Sequence, residues 1–229
     1  MKKRIVIVAL LVCILVLSIA STTIAYFTDT EKATNTFTVG DVDIKLTEVA
    51  PDGTTVEVTD DENGESALAL TYTNVYPTQK INKTPTITNV ATDPAYVGAV
   101  VTIALSDDSD INTLFAEATL VADVKAFLSE GAINATSGYK VTVLQEGEAI
   151  KVYIIAEQAI AKDIPVALFS NVVIPADWDN DDMAVFAKLS ITVDAYATQV
   201  AGMADLAEAA NRTDVAAFAM ESAFPEVFD

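Results

Sequence analysis

The strongest constraint on the fold is the alternation of apolar and polar residues in several short segments. Residues 42–46 and 189–195 alternate strictly, and a period of two is typical of a strand with one buried and one wet face. Residues 95–105 are apolar on both faces, which predicts a central strand. Residues 139–143 and 149–156 lie on either side of a Gln-Glu-Gly-Glu turn, and this pattern predicts a hairpin.

Helical spacing is confined to two regions. Apolar residues recur at intervals of three and four over about residues 111–130, which predicts a helical insertion that ends near Gly131. Residues 203–223 predict a C-terminal helix anchored by Phe218 and Phe224. With about eight strands in all, the sequence predicts a mainly β fold: a jelly-roll-like antiparallel β-sandwich with a helical insertion and a C-terminal helical segment.

Local structure is also predicted for four further segments. Pro85 to Asn89 is predicted to be an extended edge strand, because proline is confined to edges and strand starts. Residues 166–174 are predicted to form one extended stretch, and residues 68–72 a strand. Residues 175–182 are predicted to be a loop.

The N-terminus has the features of an export signal. Three basic residues precede an apolar run over residues 5–20, and small residues follow at Thr23 and Ala25. This arrangement predicts a secretory signal peptide over residues 1–25, with cleavage after Ala25, and a single domain over residues 26–229. An uncleaved membrane anchor is the alternative, because the run extended to Phe27 reaches the roughly 20 residues of a spanning helix.

The charge of the chain limits its partners. The formal net charge is −20, and loss of residues 1–25 removes three basic residues and no acidic ones, which gives −23. Nucleic acids and anionic membrane surfaces both require a basic protein surface, so neither is an expected partner once the signal is cleaved.

The residues needed for several kinds of catalysis are missing from the sequence. There is no histidine, which excludes Ser-His-Asp catalysis and histidine-ligated zinc. The one cysteine is Cys13, within the predicted signal, so the mature chain would have no thiolate nucleophile and no disulfide. No catalytic residue or cofactor is predicted, and we expect a protein that is not an enzyme.

Two acidic clusters allow different interpretations. One is at residues 107–110, and the other consists of Asp177, Asp179, Asp181 and Asp182. Closely spaced carboxylates suit calcium, so the second cluster is a candidate calcium site. Solvated turns and a helix N-cap explain the same pattern, and we favour that interpretation because the EF-hand glycine and glutamate are absent.

Several segments together resemble a known family. They are residues 25–29 (Ala-Tyr-Phe-Thr-Asp), residues 36–44, the Tyr76-Pro77 connection that leads to residues 85–97, and residues 192–199. In this order they resemble the TasA/camelysin-type exported proteins, which are processed by a SipW-like signal peptidase. Thr78 stands where glycine is common in that family.

The resemblance implies a function in assembly. It implies a secreted jelly-roll subunit of biofilm-matrix fibres at the cell surface, joined head to tail by donor-strand complementation. The donor strand would be about residues 26–39, with Tyr26, Phe27, Phe37 and Val39 in the assembly contact. The partner would be another copy of the chain, with a minor accessory matrix subunit as a further candidate.

Alternatives remain open at this stage. Residues 26–39 have the same alternation whether they pair within their own subunit or with a neighbour. A camelysin-like cell-surface metallopeptidase and a monomeric, signal-anchored adhesin are the alternative functions.

Overall fold

A computed structural model describes residues 42–49, 55–57 and 75–228. The predicted signal peptide, the candidate donor strand and the strand expected at residues 68–72 lie outside these ranges.

The described residues form eleven strands and five α-helices. The strands are β1 (Ile44–Val49), β2 (Thr55–Glu57), β3 (Lys80–Asn82), β4 (Thr86–Asn89), β5 (Ala95–Leu105), β6 (Leu128–Ser129), β7 (Tyr139–Glu146), β8 (Ala149–Ala156), β9 (Pro165–Ala167), β10 (Asn171–Val173) and β11 (Leu189–Gln199). The helices are α1 (Leu120–Phe127), α2 (Asn180–Phe186), α3 (Met203–Ala209), α4 (Val215–Ala223) and α5 (Pro225–Phe228), and two short 3-10 helices span Ile111–Thr113 and Ala132–Asn134.

The strands are arranged in three antiparallel sheets. The largest has the order β11-β5-β8-β7, a second has the order β2-β1-β4-β9, and the smallest has the order β3-β10-β6. The described fold is therefore mainly antiparallel β with a few helices, as the sequence predicts.

The central position of β5 and the β7–β8 hairpin are confirmed. Strand β5 pairs along its whole length with β11 and along most of it with β8. In the hairpin, Glu146 pairs with Ala149, and Gly147 has φ +62° in the turn between them. This is the left-handed region that glycine occupies without a Cβ penalty.

One apolar core contains residues from all three sheets. The inward side chains of β5 (Val97, Ala99, Val101 and Ile103) are at most 2% exposed. They belong to the same buried cluster as Ile87 of β4 and Val172 of β10.

The C-terminal helices cover part of the other face of the largest sheet. Met220 of α4 is fully buried, and a Cβ atom at Gly98 of β5 would lie 2.8 Å from its Cε atom. The rings of Tyr196 and Phe224 have centroids 5.1 Å apart, and Phe228 lies 5.4 Å from Tyr196. This second cluster explains why β5 is apolar on both faces.

Several local predictions are wrong. Strand β4 is not an edge strand, because β1 and β9 pair with its two sides. Pro85 precedes the strand, so the sheet loses no inter-strand hydrogen bond through the missing proline N–H. The Pro85 carbonyl accepts a hydrogen bond from the Leu168 N–H. The stretch at residues 166–174 is divided between β9 and β10, which belong to different sheets.

The two helical regions are predicted at the correct positions in the chain, but the helices are shorter than predicted. Within residues 111–130 only α1 is α-helical, and the stretch ends in β6, which pairs with β10. Residues 203–223 form two helices, α3 and α4, rather than one. Phe224 packs on Tyr196 as an anchor, whereas the Phe218 ring is only half-buried beneath the Arg212 guanidinium, 5.8 Å from its centroid.

Thr78 has an unusual backbone conformation. Its φ is +70°, in the left-handed region, although threonine is β-branched. Its N–H donates to the Ile174 carbonyl at 3.0 Å, and the side chain is exposed. A glycine would adopt this conformation with less strain.

Candidate assembly surface

Strand β11 is the long strand at one side of the largest sheet. All eleven of its residues pair with β5, from Leu189 opposite Leu105 to Gln199 opposite Ala95. Within the part of the chain that the structure describes, no strand pairs with the other side of β11. A strand in this position can accept a further strand through its backbone N–H and C=O groups.

The core is incompletely covered along β11. Leu189, Ile191, Ala195 and Ala197 pack against the core but are only half-buried, and Val193 is 9% exposed. The matching inward face of β5 is almost fully buried. The apolar face of the sheet therefore extends beyond what the described part of the molecule covers.

Strand β1 lies near β11, and its apolar side chains are also only half-buried. Its Ile44 and Leu46 side chains pack on the same core and are half-buried. Residues 44–47 pair with β4, whereas β2 reaches only residues 47–49 on the other side. Strands β1 and β11 belong to different sheets, yet some of their Cα atoms lie within 8 Å of each other.

We define the β1–β11 seam as Ile44 and Leu46 of β1 with Leu189, Ile191, Ala195 and Ala197 of β11. The seam combines a strand side without a described partner and a row of half-buried apolar side chains. An added strand could form backbone hydrogen bonds with β11. Every second side chain of the added strand would then be buried against the seam. Sequence alternation predicts both strands but not the seam, because half-burial depends on how the sheets meet.

One end of β11 is held by an ion pair. Lys188 Nζ lies 2.7 Å from Asp107 Oδ2, and this hydrogen bond lowers the pKa of Asp107 to about 2. The first acidic cluster thus contributes to holding the start of β11, and Asp110 caps the first 3-10 helix by accepting from the Asn112 N–H at 2.9 Å.

The predicted assembly residues are not among the described ones. Tyr26, Phe27, Phe37 and Val39, and the predicted cleavage site at Ala25, all lie before residue 42. Their part in assembly stays a prediction.

The candidate calcium residues lie at the start of α2. The predicted loop ends earlier than expected, because α2 begins at Asn180 with Asp179 as its N-cap. Asp179 Oδ1 accepts from the N–H groups of Asp181 and Asp182 at 2.8 and 3.1 Å, and Asp182 Oδ2 accepts from the Asp179 N–H at 2.9 Å. This is a capping box.

The capping box accounts for Asp179 and Asp182, the residues at its two ends. Asp177 and Asp181 are exposed. Among the described residues, no group of three or more acidic, histidine or cysteine side chains is arranged to hold a metal ion. Calcium at residues 177–182 stays a prediction.

An ion cluster joins the start of α4 to β7. The Arg212 guanidinium donates bidentate hydrogen bonds of 2.6 and 2.7 Å to the Asp214 carboxylate. It donates a further hydrogen bond of 2.7 Å to Glu221 Oε2. The Arg212 hydrogen bonds lower the pKa of Asp214 to about 2, and the two carboxylates raise the pKa of Arg212. Lys140 of β7 lies 3.8 Å from Asp214 and 3.7 Å from Glu221.

This cluster borders an open cavity of about 650 Å³, whose lining includes Tyr96, Ile155 and Ala216. Each charge of the cluster meets an opposite charge, as in a network that attaches a helix to a sheet. The cavity therefore has no unpaired charge from this cluster with which to bind a ligand.

The Tyr153 hydroxyl beside the C-terminal helices is also engaged. It donates to Glu146 Oε1 at 2.6 Å, and burial together with this bond raises the pKa of Tyr153 to about 12. The hydrogen bond from Lys151 lowers the pKa of Glu146. Both groups thus keep their usual charge states at neutral pH.

Comparison with protein-family models, curated proteins and solved structures finds no match for this chain. Among the described residues, no helix is long and apolar enough to cross a membrane.

Proposed function

We propose that this chain is an exported structural subunit that assembles head to tail into extracellular fibres of a biofilm matrix. Residues 26–39 of one subunit would pair with the β1–β11 seam of the next. We further propose that the three sheets form a jelly-roll-like β-sandwich that the added strand completes. The protein would then be a non-catalytic, secreted subunit whose partner is another copy of itself.

The observation that carries the proposal is the half-buried seam. Each apolar side chain that an added strand buries is worth about 1.5–3 kcal/mol relative to exposure. Backbone pairing along β11 would add affinity, and the alternating side chains would set the register. A strand of residues 26–39 is long enough to follow the eleven residues of β11.

Two further observations support the proposal. Residues 26–39 end four residues before β1 begins at Ile44, so the donor strand would be joined by a short connection to one of the two strands of the seam. Thr78 has the positive φ that glycine favours, at the position where the TasA/camelysin-type proteins commonly have glycine.

A head-to-tail contact can be tested with two variants of residues 26–229 that fail in different ways. Phe37→Asp places a charge in the donor strand and leaves the seam intact. Ile191→Asp places a charge in the seam and leaves the donor intact. In an equal mixture, the intact donor of the second variant can fill the intact seam of the first, and growth must stop at a dimer.

The expected outcomes are distinct. The unmodified chain forms fibres by negative-stain electron microscopy, each variant alone is monomeric by light scattering, and the mixture is dimeric. Thr192→Asp is the matched control, because Thr192 is exposed on the other face of the same strand, and it should still form fibres. If residues 26–39 pair within their own subunit, the mixture stays monomeric. An unmodified chain that stays monomeric would contradict the proposal.

A further inference from the structure

The most unusual side-chain contact outside the seam joins Glu48 to Lys83. Among the described residues these are the only charged residues that are buried, with side chains 7% and 9% exposed. Lys83 Nζ contacts Glu48 Oε1 directly. The other ion pairs described above, such as Lys188–Asp107, join side chains that are far more exposed.

The two side chains come from separate parts of the fold. Glu48 lies in β1, opposite Val56 of β2, and by alternation it faces the same way as Ile44 and Leu46. Lys83 lies between β3 and β4, and its N–H donates to the Ser170 carbonyl at 3.3 Å. The Thr84 hydroxyl donates to the same carbonyl, so the backbone on both sides of Lys83 is held in place.

We propose that Lys83 and Glu48 are a cross-linking site, at which the two side chains condense to an amide between Lys83 Nζ and Glu48 Cδ. Burial of two full charges has a large desolvation cost, and conversion of the pair to a neutral amide removes it. Two reactants held in contact also react as if at very high concentration, and the exclusion of water protects the product from hydrolysis.

The reaction needs no other reagent. A proton passes from the Lys83 ammonium to the Glu48 carboxylate, which gives a neutral amine and a carboxylic acid. The amine lone pair then forms the N–C bond at Cδ, and a second proton moves from nitrogen to oxygen. That proton goes to the hydroxyl oxygen, whose C–O bond then breaks and releases water, while the other oxygen re-forms the C=O double bond and one N–H remains on the amide.

Such a bond would stabilise the fold as a disulfide does, in a chain whose one cysteine is Cys13 and which therefore forms no disulfide of its own. It would close the loop between residues 48 and 83 and restrict the unfolded chain, as a disulfide does. It would also attach β1 covalently to the connection between β3 and β4. This inference does not depend on the proposed fibre.

Mass spectrometry of the purified full chain tests the site. The intact mass should be lower than the sequence mass by one water molecule, and tandem spectra should link the peptide of residue 48 to that of residue 83. Lys83→Arg preserves the positive charge but removes the amine, so it should have its full sequence mass. Lys80→Arg is the matched control, because Lys80 forms an exposed pair with Glu130, and it should still lose one water.

The unmodified chain alone decides the outcome, whether or not the variants fold. A full sequence mass, with the two peptides unlinked, would show that the contact remains an ion pair and would overturn the proposal. A lost water that maps to any other residues would overturn it as well.

Discussion

Thr78 has a strained backbone conformation that is held by the hydrogen bonds of the turn around it. Its N–H bonds to Ile174 and its neighbour Gln79 donates its own N–H to the Tyr76 carbonyl, so the turn is held while Thr78 adopts φ +70°. A left-handed conformation costs a residue with a Cβ atom roughly 1–2 kcal/mol. Glycine avoids that cost but loses more backbone entropy on folding.

Thr78→Gly is therefore expected to raise the free energy of unfolding by about 0.5–1 kcal/mol. The exposed Thr78 side chain offers no packing that glycine would lose. Thr78→Ala retains the Cβ atom and is the control, and it should leave the stability close to that of the unmodified chain. Urea unfolding measures both variants, and equal stabilities for the glycine and alanine variants would refute the strain argument.

The contact between Glu48 and Lys83 is a feature of single residues that the sequence does not predict. In the sequence, alternation places Glu48 on the face of Ile44 and Leu46, whereas Lys83 lies between two polar residues, and no local pattern joins the two. Their contact exists because β1 and the connection between β3 and β4 meet at the core. The sequence predicts the strand that carries Glu48 but cannot predict its partner.

At the scale of elements, periodicity succeeds where an element is long. Strands β5, β7, β8 and β11 have eight or eleven residues each, long enough for a period of two or a fully apolar run to stand out. Strands β3, β9 and β10 have three residues each and no measurable period. The edge prediction for β4 failed because strand neighbours depend on long-range pairing. For the same reason, the sequence predicts β11 but neither its place at the side of the sheet nor the seam.

The packing of α4 on the largest sheet depends on the absence of a side chain at Gly98. A Cβ atom there would lie 2.8 Å from Met220 Cε and 3.0 Å from Phe228 Cζ, both closer than normal van der Waals contact. Met220 is fully buried, so it has little room to move away. Gly98 thus lets the C-terminal helices approach the sheet.

Gly98→Val is expected to lower the free energy of unfolding by about 1–3 kcal/mol, the usual cost of overpacking. Thr102→Val is the matched control, because Thr102 lies on the same face of β5 and is half-buried, and its effect should be small. Combining Gly98→Val with Met220→Ala removes the closest clash, so the double variant should be more stable than the two single effects predict. Simple additivity in urea unfolding would show that Gly98 and Met220 do not compete for space.

At the scale of the whole molecule, charge opposes the proposed assembly. Each proposed subunit would have a net charge of −23 after loss of residues 1–25, so like-charged subunits would have to approach each other before the seam could be filled. The apolar seam supplies a short-range attraction, whereas the repulsion extends over the Debye length. Salt therefore acts on the approach of two subunits and leaves the contact that follows largely unchanged.

Fibre growth by residues 26–229 is consequently expected to accelerate with salt. Raising sodium chloride from about 0.01 M to about 0.1 M shortens the Debye length from about 30 Å to about 10 Å. The elongation rate should rise about tenfold or more, because screened subunits meet more often in the bound orientation. Light scattering at fixed protein concentration measures the rate, and Ile191→Asp should remain monomeric at both salt concentrations. Growth that slows with salt would mean that oppositely charged patches drive the contact, and the apolar seam would then not be the surface on which subunits join.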